Sequence, residues 1–183
     1  MDDVVNAGPH SDASMTLLIV SPAHHVADLV ARRQPSHVIS LESSTQETVA
    51  TAFENQRRFS FNDITERRPG LVAPSAEMIG ELLDFGRSWD GARPLLVHCW
   101  AGISRSCAAA FVLACDRNPG RERAIADELR SRAPFATPNR LMVRLADDLL
   151  ARDGRMVAAI DAIGRGAEAP QGEPFDLPVR YSC

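Results

Sequence analysis

The residues best suited to covalent chemistry in this sequence are a cysteine and an arginine, Cys99 and Arg105, separated by five residues. They lie in residues 95–106, which read LLVHCWAGISRS. The apolar residues 94–97 predict a buried strand, and residues 104–115 predict an apolar helix. In a loop that joins a strand to a helix, consecutive backbone N–H groups can point inward, and the helix adds its unsatisfied N-terminal donors. The spacing therefore predicts a loop that binds an oxyanion beside a cysteine.

Each residue type in this loop suits a particular step of chemistry. The field of the loop favours the thiolate form of Cys99, which is the nucleophilic form of cysteine. Arg105 carries a planar guanidinium that can bind two oxygens of a phosphate at once, which lysine cannot do. Gly102 permits a backbone turn that a side chain would hinder. The pattern is typical of nucleophilic attack on a bound phosphoryl group.

Several motifs resemble one known family. His-Cys, five residues and Arg is the signature of the protein tyrosine phosphatase superfamily, and HCWAGISRS (98–106) resembles its dual-specificity branch, especially the MAP-kinase-phosphatase-like members. Asn62-Asp63 resembles the general-acid loop of that family, and Pro138-Asn139 resembles its C-terminal Pro-Asn helix. The likeness covers about residues 16–152. FNDI (61–64) and GRG (164–166) also resemble a bacterial tyrosine-phosphatase-like family.

The resemblance implies a role for each matching residue. Cys99 attacks phosphorus and forms a phosphocysteine intermediate, and Asp63 protonates the leaving oxygen before it activates water. Ser106 supports the departing thiolate, and His98 orients the loop and tunes Cys99. The residues that would bind the phosphate are Trp100, Ala101, Gly102, Ile103, Ser104 and Arg105. The family chemistry requires no metal and no cofactor.

Several of these assignments have a simpler alternative. Asp63 could cap a turn, in which case Glu66 is the fallback acid. Ser104 competes with Ser106 for the hydroxyl role. Trp100 is either a rim residue that stacks on an aromatic leaving group or a packing residue. Asn139 is interpreted as a helix cap rather than as a catalytic group.

The function hypotheses differ in substrate and in reaction. The leading one is a phosphoprotein phosphatase that acts on phosphotyrosine or has dual specificity. A phosphoinositide, RNA or small-molecule phosphatase is the second, although the uncharged loop residues 100–104 favour a singly phosphorylated substrate. An arsenate reductase or sulfurtransferase is the third, with Cys107 as a resolving thiol rather than a buried filler. A phosphate-binding module without turnover is the fourth.

The elements that position this loop predict an α/β fold. Strands are predicted at residues 16–21, 37–43, 58–64 and 94–97, and helices at 23–33, 75–90, 104–115, 121–132, 139–152 and 156–163, with a weaker one at 44–53. Their alternation indicates one domain, with a central, mostly parallel sheet of about four or five strands flanked by helices. The predicted organisation is a disordered leader (1–14), a phosphatase domain (15–164) and an irregular C-terminal tail (165–183).

The composition of the chain limits the classes of partner that the protein is expected to bind. The formal net charge of −4 argues against a nucleic-acid-binding protein. No apolar run is long enough to span a membrane, and the acidic, polar residues 1–14 do not resemble a targeting peptide, so a cytoplasmic location is expected. The four cysteines are expected to be free thiols. A phosphorylated protein or a small phosphomonoester is the expected partner. The oligomeric state is left open.

Overall fold

The computed structural model describes residues 16–43 and 53–180. A five-stranded sheet forms its centre, with strand order β3-β2-β4-β1-β5. The strands are β1 (Leu17–Pro22), β2 (His37–Glu42), β3 (Gln56–Ser60), β4 (Leu95–Cys99) and β5 (Phe175–Pro178). The first four pair in parallel, and β5 runs antiparallel to β1. The predicted α/β class and the mostly parallel sheet are therefore confirmed.

Helices cover both faces of the sheet. They are α1 (Val26–Arg33), α2 (Ala76–Ser88), α3 (Arg105–Arg117), α4 (Glu122–Arg132), α5 (Arg140–Leu149) and α6 (Arg155–Ile163), and a short 3-10 helix, Ala23–His25, precedes α1. A small cluster of Ile19, Val26, Val38 and Leu96 joins α1 to one face. The larger core lies on the other face, and α3 runs through it with every residue from Arg105 to Cys115 buried.

Strand β4 is buried at every residue because it lies between β1 and β2 in the middle of the sheet. Its neighbours place Cys99 beside Pro22 of β1 and Leu41 of β2. The carboxyl ends of these three parallel strands therefore meet at one edge, which is where ligands bind in open α/β sheets.

The structure differs from the sequence-based expectation at three places. The strand expected at 58–64 is Gln56–Ser60, because after Phe61 the chain turns and the Asn62 N–H bonds to the Val72 carbonyl, 2.7 Å away. The helix expected at 139–152 ends three residues early, at Leu149, since Ala151 has a positive φ angle of 51°. The prediction of an irregular tail is wrong for Phe175–Pro178, which form β5.

Strand β5 has a clear physical reason to form. Without it, β1 would be an edge strand with a row of unpaired backbone groups. Leu177 and Val179 of the tail are buried in the core, 0% and 3% exposed. The tail is thus part of the same sheet and core as the residues before 164. The expected leader at 1–14 and residues 44–52 of the helix expected at 44–53 lie outside the described residues, and Phe53 is not helical.

Candidate active site

The loop between β4 and α3 has its backbone carbonyls directed outward. Each carbonyl of residues 100–104 accepts a hydrogen bond from a group outside those five residues. The donors are the backbone N–H groups of Ala23, Gly172, Thr137, Asn139 and Ala108 and the thiol of Cys107. Because the C=O and the following N–H of a peptide unit point in opposite directions, the N–H groups of residues 101–105 face inward. Backbone donors arranged in this way form a concave set that can bind an anion.

Gly102 is essential to this shape. Its φ angle is +71°, in the left-handed region that favours glycine. A Cβ atom there would lie 2.6 Å from the backbone nitrogen of Pro22, which cannot move without displacing β1. The loop therefore packs directly against the end of β1, and only glycine fits at the contact.

Cys99 ends β4 inside this ring of donors and is 3% exposed. Its sulfur accepts a hydrogen bond from the Gly102 N–H at 3.3 Å and lies 3.2 Å from the hydroxyl oxygen of Ser106. Ser106 is completely buried in the first turn of α3. A serine hydroxyl at this distance can donate a hydrogen bond to a sulfur anion.

Arg105 begins α3 and is held from its outer side. Its Nη1 donates to the Ser43 hydroxyl at 2.8 Å and to the Phe61 carbonyl at 3.0 Å. The guanidinium carbon lies 5.7 Å from the centre of the Phe61 ring. The side chain is 4% exposed, so the positive charge is fixed in a low-dielectric site beside the loop. A fixed, planar cation of this kind suits bidentate phosphate binding.

Asp63 is held against the loop by two donors. Its Oδ1 accepts hydrogen bonds from the Ser104 hydroxyl at 2.8 Å and from the Asn139 amide at 2.7 Å. Asn139 also donates to the Ile64 carbonyl, and its own Oδ1 caps α5 by accepting from the Met142 N–H at 3.0 Å. Both side-chain donors contact Oδ1 rather than Oδ2.

Two alternatives from the sequence are resolved by these contacts. The Ser104 hydroxyl donates to Asp63, whereas the Ser106 hydroxyl oxygen lies 3.2 Å from the sulfur of Cys99, so Ser106 is the serine within hydrogen-bond distance of the nucleophile. Asn139 is a helix cap, as expected, and it also grips Asp63, which the sequence did not reveal. The fallback acid, Glu66, is an exposed residue farther along the same loop.

His98 is buried next to Cys99 in the chain but bonds away from it. Its Nε2 lies 2.7 Å from the Ser40 hydroxyl on β2, and Gln56 of β3 donates to the same hydroxyl. Burial, with a smaller contribution from the positive charge of Arg58, lowers the pKa of His98 to about 4. The ring is therefore neutral near pH 7, so it supplies no positive charge to the thiolate and ties β4 to β2 instead.

Trp100 and Cys107, two further residues that the sequence indicated, differ in their burial. Trp100 is 49% exposed, so its side chain lies outside the core. Cys107 is fully buried one turn into α3, and its thiol donates to the Gly102 carbonyl at 3.4 Å. Burial, followed by the nearby charge of Cys99, raises the pKa of Cys107. Cys107 is a protonated thiol that supports the loop.

Part of the site comes from residues that no sequence motif indicated. Ala23, Thr137 and Gly172 orient the loop through their backbone N–H groups, which every residue except proline has. Side-chain type therefore carries no signal for these contacts. Pro22 was the available hint, because the Gly102 backbone packs directly against it.

Comparisons with solved structures place the fold among phosphatases. The crystal structure of DUSP15 aligns with a TM-score of 0.57 and 18% identity, covering 82% of this chain and 92% of that chain. Tk-PTP in its active form aligns with a TM-score of 0.53 and 18% identity, covering 72% and 88%. No protein-family model matches the sequence, and no curated protein matches it. The chain has the dual-specificity and tyrosine phosphatase fold, as its motifs indicated.

Two further features are absent from the residues that the structure describes. No helix in residues 16–43 and 53–180 has the length and apolar character to cross a bilayer. In the same ranges, no three His, Cys, Asp or Glu side chains form a group that could hold a metal ion.

Proposed function

We propose that the protein is a cysteine-dependent phosphatase that hydrolyses phosphotyrosine monoesters, with or without additional activity on phosphoserine and phosphothreonine. The observation that carries the proposal is that the carbonyls of all five loop residues are hydrogen bonded to groups outside residues 100–104, while the Gly102 N–H donates to the sulfur of Cys99. A nucleophile, an anion cradle and a buried arginine in one place are what phosphoryl transfer to cysteine requires.

The first chemical step transfers the phosphoryl group to sulfur. The thiolate of Cys99 attacks phosphorus, and the bond from phosphorus to the leaving oxygen breaks. Asp63 gives its carboxyl proton to that oxygen, so an alcohol or phenol leaves instead of a charged alkoxide or phenoxide. Arg105 and the loop N–H groups bind the equatorial oxygens, where charge is concentrated in the transition state.

The second step returns the enzyme to its starting state. Asp63, now a carboxylate, takes a proton from water as that water attacks the phosphorus of phosphocysteine. The bond between sulfur and phosphorus breaks, and the Ser106 hydroxyl, 3.2 Å from the sulfur, donates to the departing thiolate. Inorganic phosphate then leaves, and Asp63 is again protonated for the next cycle.

The surroundings favour an aryl phosphate monoester. The loop side chains from Trp100 to Ser104 carry no charge, so nothing in the loop itself recruits a second phosphate. Trp100 offers an exposed aromatic surface directly after the nucleophile. An aromatic leaving group can stack there at a gain of about 0.5–1.5 kcal/mol.

The arsenate reductase hypothesis receives little support from Cys107. A resolving thiol must become a thiolate and reach the sulfur of Cys99, but Cys107 is completely buried and its pKa is raised. Its hydrogen bond to the Gly102 carbonyl already gives it a structural role.

Hydrolysis of p-nitrophenyl phosphate in the presence of a chelator, from pH 5 to pH 8, tests the proposal. Wild type should turn over, and Cys99→Ser should be inactive. Asp63→Asn should lose about 10²–10⁴-fold in kcat, because the general acid is gone, and should also lose the decline in activity that ionisation of the acid causes at higher pH. Phosphate binding without turnover by wild type would instead indicate a binding module.

A further inference from the structure

A cavity of about 630 Å³ lies beside the phosphate loop. Ile103 and Ser104 of the loop form one wall, Phe135 and Thr137 form another, and residues 165–170 of the C-terminal tail form the third. This volume is within the range of pockets that hold whole small ligands. The lining includes Ile103 and Ser104 of the loop but not Cys99 or Arg105. The cavity has room for the part of a substrate that adjoins the phosphorylated side chain.

The tail wall is fixed to the rest of the molecule. The Gly166 N–H donates to the Thr137 hydroxyl at 3.2 Å, and the Ala167 N–H donates to the Pro134 carbonyl at 2.9 Å. A Cβ atom on Gly166 would lie 2.4 Å from the Phe135 carbonyl oxygen, so the backbones are in direct contact. The cavity is consequently a preformed feature.

One residue, Ser104, links the cavity to the general acid. Ser104 lines the cavity, and the hydroxyl of the same residue donates to Asp63. Since Asp63 must contact the leaving-group oxygen, the leaving group lies on the side of the loop where the cavity begins. A substrate that extends beyond its phosphorylated side chain would therefore enter the cavity.

The charges on the tail wall indicate what the cavity binds. The hydroxyls of Ser104 and Thr137 are already hydrogen bonded, to Asp63 and to Gly166. Arg165 is the one cation in the lining, and its side chain is 78% exposed. Its partner, Glu168, is 3.9 Å away and 89% exposed, which makes the ion pair weak and easily exchanged for a ligand carboxylate.

We propose that this cavity is a specificity subsite for phosphotyrosine peptides with an acidic residue next to the phosphotyrosine, in which Arg165 pairs with the acidic side chain and Glu168 opposes it. The proposal rests on the phosphatase function proposed above. Residues of the C-terminal tail, outside the phosphate and acid loops, would thus select the substrate.

The test compares Arg165→Gln and Glu168→Gln on two phosphotyrosine peptides that differ only in Glu or Gln at the positions beside the phosphotyrosine. The quantity measured is the ratio of kcat/KM for the acidic peptide to that for the neutral peptide. Arg165→Gln should lower this ratio about two- to fivefold, which is the usual size of an exposed ion pair, and Glu168→Gln should raise it. Both effects should shrink as salt is added.

Arg32→Gln is the matched control, because Arg32 is 76% exposed and pairs with Asp28 on α1. It should leave the ratio unchanged. Equal ratios in all four proteins, or shifts of the same sign for Arg165→Gln and Glu168→Gln, would overturn the proposal. So would an Arg165-dependent preference for inositol phosphates over the acidic peptide.

Measuring peptide binding without turnover distinguishes a failure of the subsite proposal from a failure of the proposed phosphatase function. In the Cys99→Ser background, fluorescence anisotropy measures the affinity for both labelled peptides without turnover. If wild type hydrolyses neither peptide but the acidic one still binds more tightly through Arg165, the subsite stands and the phosphatase function fails. If hydrolysis proceeds with no preference in binding or rate, the phosphatase function stands and the subsite fails.

Discussion

Replacing Asn139 with serine should separate its contact with the general acid from its helix cap. Asn139 donates to Asp63 through Nδ2 and caps α5 through Oδ1. Serine is as good an N-cap as asparagine, but it lacks the amide that reaches Asp63. Asn139→Ser should therefore keep the stability of the wild type and lose control over the position of the acid.

The size of the effect follows from the contact itself. Asp63 is uncharged as the acid of the first step and a carboxylate as the base of the second. A hydrogen bond to it contributes about 0.5–1.5 kcal/mol in the first state and about 1.5–3 kcal/mol in the second, which together span roughly 2- to 150-fold in rate. Ser104 donates to the same Asp63 oxygen and would retain part of the alignment. The expected loss in kcat is accordingly about tenfold, and it cannot exceed the loss in Asp63→Asn.

The assay measures kcat for aryl phosphates with good and poor leaving groups. A misplaced acid matters most when the leaving oxygen needs its proton, so the loss should be larger for phenyl phosphate than for p-nitrophenyl phosphate. Ser75→Ala is the control, because Ser75 caps α2 at the Met78 N–H and contacts none of the site residues. It should cost about 1 kcal/mol of stability and leave kcat unchanged.

The reasoning would be refuted by either of two results. One is a uniform loss in kcat across leaving groups, which would indicate general damage to the site. The other is an Asn139→Ser variant with full activity, accompanied by an Asn139→Ala variant whose only defect is lower stability. In that case the bond to Asp63 would have no role in catalysis.

Three further predictions concern the loop and its support. Gly102→Ala should abolish phosphate binding and lower Tm, because the new Cβ would lie 2.6 Å from the Pro22 nitrogen. Gly120→Ala is the control, since Gly120 also has a positive φ angle but has open space around it. This control should cost only about 1–2 kcal/mol of backbone strain. The pKa of His98 is lowered from 6.5 to about 4, so protonation of His98 favours the unfolded state. The contribution of His98 to the free energy of unfolding, measured by urea titrations, should therefore fall by about 3 kcal/mol between pH 6.5 and pH 4. This contribution should vanish in His98→Gln. Ser106→Ala should slow the second chemical step, so rapid-quench experiments should show the phosphoenzyme accumulating.

The centre of the site could be predicted because its signals are local. An apolar strand, a glycine turn, an arginine at fixed spacing and an apolar helix all lie within one short segment, and each has its own physical reason there. Asp63 followed from a family resemblance, and its contact with Ser104 places it beside the loop. Pairing between distant strands was not needed to recognise this chemistry.

The support for the site could not be predicted because it depends on backbone groups brought together by the fold. The carbonyls of the loop are bonded by Ala23, Thr137 and Gly172, which are far apart in sequence and share no side-chain feature. Strand β5 was missed for a related reason: it is four residues long, ends in proline and forms only because β1 leaves an open edge. The cavity beside the loop is lined by residues of the same tail, so the sequence did not predict it either.

Detection of a phosphocysteine tests the central claim most directly. Wild type mixed with p-nitrophenyl phosphate in chelator, quenched in acid within the first turnovers and digested, should yield a peptide with one phosphoryl group on Cys99. Cys99→Ser should yield no such peptide and release no p-nitrophenol. A phosphoryl group on another residue, or turnover that survives in Cys99→Ser, would contradict the account.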